Sequence, residues 1–265
     1  MELDKTVVAL KEWINEQSEI PETPDADLKL FAHVANEDLE TAKRLIFNYY
    51  SHRLNGYEAL FKDRDIDNDS LTNIRNVFET FICPKPTPEG CKILISHAVT
   101  SDTKNYDMMA QMKYFVMTLE ASLIDEDLGP GHVVIFDIST LTTGHILKFS
   151  PSGIKKTSNY LQEGIPLKIQ NVYLVNASPV VDIMMKTAKP FINMDLLKRT
   201  HIYRSGDMEK LYEHVPKSCL PEEYGGYLGP SSAINEENTA KLRNLKEKFT
   251  QEEDILRTMK EKGNS

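Results

Sequence analysis

The sequence predicts an α/β protein in which a helical N-terminal part precedes a mostly parallel sheet. Before the proline-rich segment 84–88, apolar residues recur at helical spacing, and after it short apolar runs alternate with helical segments. Such alternation is typical of parallel strands joined by crossover helices. The charged C-terminal stretch from Ile234 keeps a narrow apolar stripe, which predicts a helix docked on the rest of the protein.

Three helices are predicted in the N-terminal part. The first places Leu10 and Ile14 on one face and ends before Pro21, because the residue preceding a proline is disfavoured in a helix. The second helix starts after Pro24, at a typical helix start signal. The third begins at Asp38, whose carboxylate is suited to capping exposed main-chain amides.

The sheet is predicted from short apolar runs. Four strands are expected, at residues 92–95, 133–138, 172–175 and 200–203. The helices that connect them are expected at 108–123, 151–161 and 180–198. The second strand is apolar at consecutive positions, so both of its faces are expected to be covered. Pro190 is expected to kink the last helix.

Composition and charge narrow the function classes. The net charge is -9 at pH 7, whereas nucleic-acid binding requires a basic surface. No run approaches the roughly 18 apolar residues of a membrane span, and no secretory signal is visible at the N-terminus. Cys83, Cys91 and Cys219 fit free thiols in a reducing compartment. We therefore expect a cytoplasmic protein, monomeric and without a nucleic-acid partner.

The sequence contains no catalytic motif. The first strand-to-helix junction, residues 96–102, has no glycine to admit a phosphate, and no G-x-S-x-G elbow is present. The seven histidines are scattered, without the spacing of zinc ligands. Asp137 ends an apolar strand, where α/β folds often place functional carboxylates, but it can equally cap the following turn. These observations favour a protein that is not an enzyme and that uses neither a cofactor nor a metal.

Three segments, in this order, carry a resemblance to a known family. They are residues 134–138 (VIFDI) followed by Phe149-Ser150-Pro151, residues 166–177 (PLKIQNVYLVNA) leading into 188–192 (AKPFI), and residues 220–226 (LPEEYGG). Together they resemble the CRAL-TRIO (Sec14-like) family of lipid-binding proteins, in particular its tocopherol-transfer, retinaldehyde-binding and clavesin-like members.

The resemblance implies an architecture for the whole chain. It implies a helical N-terminal domain at 1–82, the lipid-binding domain at 83–230 and a charged C-terminal helical extension at 231–265. In the lipid-binding domain, a mostly parallel sheet is expected to floor a hydrophobic pocket. A movable helical gate within residues 180–198 is expected to cover that pocket.

The resemblance also implies which residues bind the ligand. It assigns to the pocket wall Tyr114, Thr118, Phe136, Phe149, Tyr160, Leu161, Ile165, Leu167 and Val172. It assigns to the gate Ile183, Met184 and Phe191. Because Tyr114 and Thr118 lie one helical turn apart, their hydroxyl groups can together hold a polar end of the ligand.

The family's phosphoinositide site is only partly matched. Three basic residues of the set are present, Arg44, Lys168 and Arg199. Three other positions of the set carry no cation, namely Ala35, Gln170 and Asp195. Since phosphate contacts are charge-assisted, this difference predicts weakened phosphoinositide binding.

The leading hypothesis is intracellular binding and transfer of one hydrophobic small molecule, such as a retinoid, carotenoid, tocopherol or other isoprenoid lipid. Transient peripheral contact with membranes is expected where the gate opens. Two alternatives stay open. One is phospholipid or phosphatidylinositol exchange of the Sec14 type, which requires charged groups at the pocket. The other is a protein-interaction module that retained the fold, which requires a core without a cavity.

Overall fold

The computed structural model describes residues 2–124 and 129–263. In these ranges the α-helices are α1 (Glu2–Asn15), α2 (Asp25–Val34), α3 (Leu39–Asn55), α4 (Asp69–Arg75), α5 (Met108–Ser122), α6 (Thr143–Leu147), α7 (Pro151–Asn159), α8 (Val180–Ala188), α9 (Met194–Lys198), α10 (Met208–Tyr212), α11 (Ser231–Asn244) and α12 (Lys246–Gly263). The strands are β1 (Phe78–Ile82), β2 (Lys92–Ala98), β3 (His132–Asp137), β4 (Ile169–Ala177) and β5 (Thr200–Arg204). None of the helices in these ranges combines the length and the apolar character that crossing a bilayer requires.

The three N-terminal helices form a small core of their own. α1 packs against α2 and α3, and Leu10, Leu28 and Ile46 are fully buried between them. Asp38 caps α3, because its carboxylate accepts a hydrogen bond from the main-chain amide of Thr41 at 2.8 Å. The predicted helices are present, with the predicted cap.

The strands form one sheet in the order β1-β2-β3-β4-β5. β2 to β5 run parallel, at the positions of the four predicted strands. β1 pairs with β2 in the antiparallel direction. Phe78–Ile82 was expected in the helical N-terminal domain, 1–82, and this expectation is corrected, because the segment is a strand of the sheet. β1 has no continuous apolar run because it contains Glu79 and Thr80. Its pairing with β2 includes a 2.9 Å hydrogen bond between the hydroxyl groups of Thr80 and Ser96.

Alternate residues of each strand face two different layers. Val134 and Leu174 lie toward α5 and α8. Ile135 and Val175 lie toward α10, where Leu211 is also buried. Because both faces of the sheet are covered, β3 is apolar at consecutive positions, as predicted.

The last crossover is divided into pieces. Residues 180–198 form α8, a 3₁₀ turn at Lys189–Phe191 and α9, with Ile192 extended between the turn and α9. Pro190 lies in the break, where its missing N–H prevents the helix from continuing. The predicted kink is therefore a full interruption. In α8 only Val181 is buried.

The charged C-terminal segment is helical and docked, as predicted. α11 packs against β1 and α5, and α12 packs against α3. Phe249 and Leu256 of α12 are buried, which accounts for the narrow apolar stripe in an otherwise charged sequence.

A buried ionic cluster joins α12 to the rest of the molecule. The carboxylate of Glu252 accepts hydrogen bonds from Arg53 at 2.6 Å and from Arg64 at 2.8 Å. Arg64 also donates to Glu120 at 2.7 Å. Two guanidinium groups thus face two carboxylates, and this pairing compensates for the loss of their hydration.

Candidate functional site

An apolar cavity of about 220 Å³ lies between the sheet and the crossover helices. The sheet contributes side chains from every strand: Phe78, Ser96, Val134, Phe136, Asp137, Ile169, Val172, Leu174 and Thr200. Helices α5, α7, α8 and α9, and the turns and loops beside them, contribute Tyr106, Met108, Gln111, Met112, Phe115, Ile138, Leu141, Phe149, Ile154, Thr157, Ser158, Leu161, Gln162, Met184, Met185, Ala188, Ile192 and Leu196.

Strand and helix geometry explains why these residues face the cavity. Along a strand alternate side chains point the same way, which brings both Val134 and Phe136 of β3 to the cavity. Met184 and Ala188 of α8 are four residues apart and therefore share a helix face. The apolar positions that predicted the elements thus also form the wall.

The cavity wall combines adaptable and ordered side chains. Methionines line it from both α5 and α8, namely Met108, Met112, Met184 and Met185. An unbranched thioether side chain adapts to irregular shapes. Phe136 is fixed by stacking on Phe115, with the ring centroids 5.4 Å apart. Such a wall can repack around an apolar molecule without losing the order of the sheet.

Residues 180–193, which we call the gate segment, cover one side of the cavity. The side chain of Gln162 fastens its far end. The amide nitrogen of Gln162 donates to the carbonyl of Phe191 at 3.0 Å, and its amide oxygen accepts from the main-chain amide of Asn193 at 2.7 Å. Val181 is the one buried residue of α8, so these two hydrogen bonds add to a lightly packed contact.

Some of the predicted ligand-binding residues are brought together on this wall: Phe136, Phe149, Leu161, Val172 and Met184. They come from β3, β4, α8 and the segments flanking α7, so the fold assembles them from distant parts of the chain. Their contact with a ligand stays a prediction.

Tyr114 and Thr118 lie on a different face of α5 and do not line the cavity. The hydroxyl of Tyr114 donates to Asn235 Oδ1 at 2.7 Å, and the hydroxyl of Thr118 accepts from Asn238 Nδ2 at 3.2 Å. The helical spacing correctly places the two residues together, but α11 covers the face that they share. Their assignment to the pocket wall is corrected for this reason.

Tyr160, Ile165 and Leu167 are buried beside the cavity without lining it. The ring of Tyr160 packs against Phe61, with centroids 4.9 Å apart, and its hydroxyl donates to Glu120. Burial raises the pKa of this hydroxyl. Residues 160–164 form a π-helical turn, which inserts an extra residue and turns the following side chains out of phase with α7.

Ile183 and Phe191 of the gate segment also lie off the wall. Ile183 is 47% exposed, because the helical phase that directs Met184 inward directs its neighbour outward. Phe191 sits in the 3₁₀ turn after α8, half-buried against α7. Its carbonyl group, not its ring, has the defined role of binding Gln162.

Two polar side chains that were not among the predicted pocket residues also face the cavity. Gln111 of α5 and Thr157 of α7 are both buried there. The hydroxyl of Tyr106 donates to Gln111 Oε1 at 2.8 Å, and burial raises the pKa of Tyr106. The sequence could have indicated these two polar positions, because Gln111 and Thr157 each interrupt an apolar helical stripe.

Asp137 is the one acidic side chain among the cavity-lining residues in the described ranges. Its carboxylate accepts hydrogen bonds from the main-chain amide of Ser139 at 2.8 Å and from Asn176 Nδ2 at 3.2 Å. Asp137 thus caps the turn that follows β3, which is one of the two roles left open by the sequence. No lysine, arginine or histidine in the described ranges lines the cavity.

The basic residues of the predicted phosphoinositide site are only partly gathered. Lys168 and Arg199 line a groove of about 370 Å³, but Arg44 does not. Arg199 binds the carboxylate of Asp195 and a main-chain carbonyl group. Lys168 donates to Asn36 Oδ1 at 2.7 Å. Both cations of the groove therefore already have protein partners.

A larger cleft of about 510 Å³ lies where α2, α5 and α12 meet. Its wall includes charged side chains of both signs, namely Asp27, Lys29, Glu120, Lys248 and Glu252. Apolar ligands gain most from an apolar surface. We therefore take the smaller, apolar cavity as the candidate site.

Ser122 and His132 form a buried pair outside the cavity. Ser122 Oγ lies 2.7 Å from His132 Nε2 and donates to the carbonyl of Leu119 at 2.6 Å. Burial, assisted by the nearby Lys92, lowers the pKa of His132 to about 4. In the described part of the chain His132 Nδ1 has no hydrogen-bond partner, so the carboxylate that orients the histidine of a hydrolytic triad has no counterpart here.

Comparison with known proteins identifies the family. The family model described as the CRAL/TRIO domain matches residues 79–226, more than half of the chain. The chain belongs to the CRAL-TRIO family. A second model, the Pinta-like UBA domain, matches residues 1–71, the part that contains α1 to α3. CRAL-TRIO proteins bind and transfer lipids and are generally not enzymes.

Relatives and a solved structure agree with this assignment. The alpha-tocopherol transfer protein-like protein of Mus musculus is 26% identical over 228 residues, which cover 85% of this chain and 65% of that protein. Clavesin-1 of Xenopus laevis is 24% identical over 211 residues, which cover 78% and 62%. The chain thus spans less than two thirds of the length of these CRAL-TRIO relatives. The crystal structure of Sfh5 has the same fold, with a TM-score of 0.59 and 14% identity over 88% of this chain and 89% of that chain.

Proposed function

We propose that this CRAL-TRIO protein binds one hydrophobic small molecule, a retinoid, carotenoid, tocopherol or other isoprenoid lipid, and transfers it at membrane surfaces. The observation that carries the proposal is the cavity, which is lined mainly by apolar side chains and covered by the lightly packed gate segment. An empty apolar cavity is unfavourable because its wall atoms lack contact partners. An apolar ligand supplies those contacts.

Exposed apolar side chains near the gate segment support membrane contact. Leu147 of α6 is 87% exposed and Met194 of α9 is 67% exposed, in addition to the half-exposed Ile183. α6 contacts α8, and α9 directly follows the gate segment. Such groups are stabilised at a bilayer interface. When the gate segment opens there, the cavity wall meets acyl chains and not water.

The two alternatives find less support. Phosphatidylinositol carries an anionic headgroup, and no basic side chain in the described ranges lines the cavity. A protein-interaction module that lost transport is expected to have a filled core, in contrast to the cavity between sheet and gate segment. Both remain distinguishable by experiment.

Lipid extraction and transfer assays test the proposal. Lipids extracted from the purified protein are identified by mass spectrometry, and uptake from liposomes is measured for retinol, β-carotene, α-tocopherol and labelled phosphatidylinositol. We expect recovery or uptake of one isoprenoid lipid per protein molecule. Recovery of no lipid together with no uptake would contradict the proposal, and uptake of phosphatidylinositol alone would favour phospholipid exchange.

Filling the cavity is expected to weaken ligand binding. In Met184→Trp the indole occupies cavity volume, so the affinity for the recovered lipid should fall about tenfold or more, which corresponds to at least about 1.4 kcal/mol. Lys186→Trp is the matched control, because Lys186 lies on the exposed side of the same helix. If both variants lost affinity equally, the loss would come from a disturbed helix α8 and not from a filled cavity.

A further inference from the structure

The hydroxyl group of Thr157 is buried and has no hydrogen-bond partner among the residues that the structure describes. Thr157 lies on α7, is 3% exposed and lines the cavity, and within the described ranges its Oγ1 makes no hydrogen bond. Buried polar side chains are nearly always paired, and a helical threonine can pair with the carbonyl group four residues earlier. An unpaired hydroxyl at this place opposes folding. A ligand that supplies the missing partner removes that penalty.

Gln111 on the neighbouring helix provides a second polar group. Its Oε1 accepts the hydrogen bond from Tyr106, and its amide nitrogen donates no hydrogen bond within the described ranges. α5 and α7 touch at Met109 and Gly153, where a Cβ on Gly153 would lie 2.3 Å from Met109 Sδ. Gln111 and Thr157 both line the cavity, so the two polar groups face it from adjoining helices.

The remainder of the wall favours a neutral ligand. Asp137 is the only charged lining residue in the described ranges, and both of its oxygens already accept hydrogen bonds. A phosphate or carboxylate would be desolvated in the cavity without a cation to compensate, which is strongly unfavourable. An alcohol or a carbonyl group loses less hydration and can regain it through one or two hydrogen bonds.

We infer that the ligand is a lipid with one uncharged oxygen-containing polar group, a hydroxyl or a carbonyl, which hydrogen-bonds to the Thr157 hydroxyl and the Gln111 amide nitrogen. This inference rests on the proposed function and specifies its ligand class. Thr157 is a specificity-determining residue, since it selects the polar end of a molecule whose apolar body contacts the methionines and phenylalanines of the wall.

Three probes of equal carbon number test the inference: the alcohol farnesol, the hydrocarbon farnesene and the anion farnesoate. Delipidated full-length protein is titrated with each. We expect the wild type to bind farnesol at least about tenfold more tightly than farnesene, because a site with a buried unpaired polar group discriminates against a ligand that cannot pair with it. Farnesoate should bind most weakly.

Thr157→Val separates a binding role from a structural one. Valine has the same shape but no hydroxyl, so the ratio of farnesol to farnesene affinity should fall several-fold while farnesene affinity is kept. The Tm of the unliganded variant should rise, because an unpaired buried hydroxyl is removed. Thr118→Val is the matched control, since the Thr118 hydroxyl is paired with Asn238. This control should lower the Tm and leave the affinity ratio unchanged.

The outcomes distinguish the inference from the proposed function. Equal affinities of the wild type for farnesol and farnesene, or an unchanged ratio in Thr157→Val, would overturn the inference and leave the carrier function standing. Binding of none of the probes, together with recovery of no lipid from the purified protein, would overturn both. Tightest binding of farnesoate would overturn the neutral-ligand class.

Discussion

Single residues explain why the segment 220–226 (LPEEYGG) contains two glycines. Gly225 has a φ of 69°, in the left-handed region that glycine adopts without strain. Gly226 approaches the main chain so closely that a Cβ would lie 1.9 Å from the carbonyl oxygen of Leu220. The LPEEYGG segment therefore closes its turn through backbone geometry.

Gly226→Ala is expected to destabilise the protein by about 2–4 kcal/mol, because main-chain atoms cannot yield as a flexible side chain does. The free energy of unfolding in urea measures this loss. Gly263→Ala, at a position where a Cβ meets nothing within 4 Å, is the control and should be neutral or slightly stabilising. Similar free energies for the two variants would contradict the argument.

At the scale of elements, the gate segment differs from the helices that surround it. α5 is buried along most of its length, whereas α8 has one buried residue and is bounded by the break at Pro190. Elements with little buried apolar surface open at low free-energy cost. The side chain of Gln162 offsets this weakness with hydrogen bonds to Phe191 and Asn193, which follow the break.

Gln162→Leu is expected to loosen the gate segment. Removing its two hydrogen bonds to the gate segment, each worth about 1 kcal/mol, should increase amide hydrogen exchange at residues 189–193 and raise the rate of ligand release several-fold. Hydrogen-exchange mass spectrometry of the unliganded protein checks the first effect independently of binding. Gln17→Leu removes a comparable side-chain bond, to the carbonyl of Trp13, and should leave residues 189–193 unaffected. Unchanged exchange in Gln162→Leu would contradict the proposed fastening.

At the scale of the whole molecule, the ionic cluster unites parts that are far apart in sequence. Arg53 comes from α3, Glu120 from α5 and Glu252 from α12. Burial opposes ionisation of Glu252, but the charges of Arg53 and Arg64 outweigh it and lower the pKa of that carboxyl group. The docking of α12 is therefore linked to pH.

The direction of this pH dependence follows from the lowered pKa. At neutral pH Glu252 is ionised and its ion pairs stabilise the folded protein. As the pH falls below 4.5, the ordinary pKa of a glutamate, the unfolded chain binds a proton at this residue before the folded protein does. The free energy of unfolding therefore decreases. Urea unfolding followed by fluorescence of the single tryptophan should show this decrease between pH 5 and pH 3. Glu252→Gln should be less stable at pH 7 and have a shallower pH dependence. An unchanged slope would show that Glu252 is not responsible.

The sequence by itself determined the class of the fold and much of its detail. Strands β2 to β5, the N-terminal helices with the cap at Asp38, and the docked C-terminal helix all follow from periodicity and local propensity. β1 could not be predicted from periodicity or local propensity, because it is a strand only through its pairing with β2. For the cavity, it was the family resemblance, and not the apolar pattern, that indicated wall residues such as Phe136, Val172 and Met184.

Tertiary structure alone decided which side of each helix meets the cavity. Periodicity shows that Tyr114 and Thr118 share a face, but Asn235 and Asn238, more than a hundred residues later, determine that α11 covers it. The same packing turns Gln111 toward the cavity, and the unpaired hydroxyl of Thr157 is visible only once its surroundings are known. The physical reason is that local spacing defines the faces of an element, whereas long-range contacts decide what each face touches.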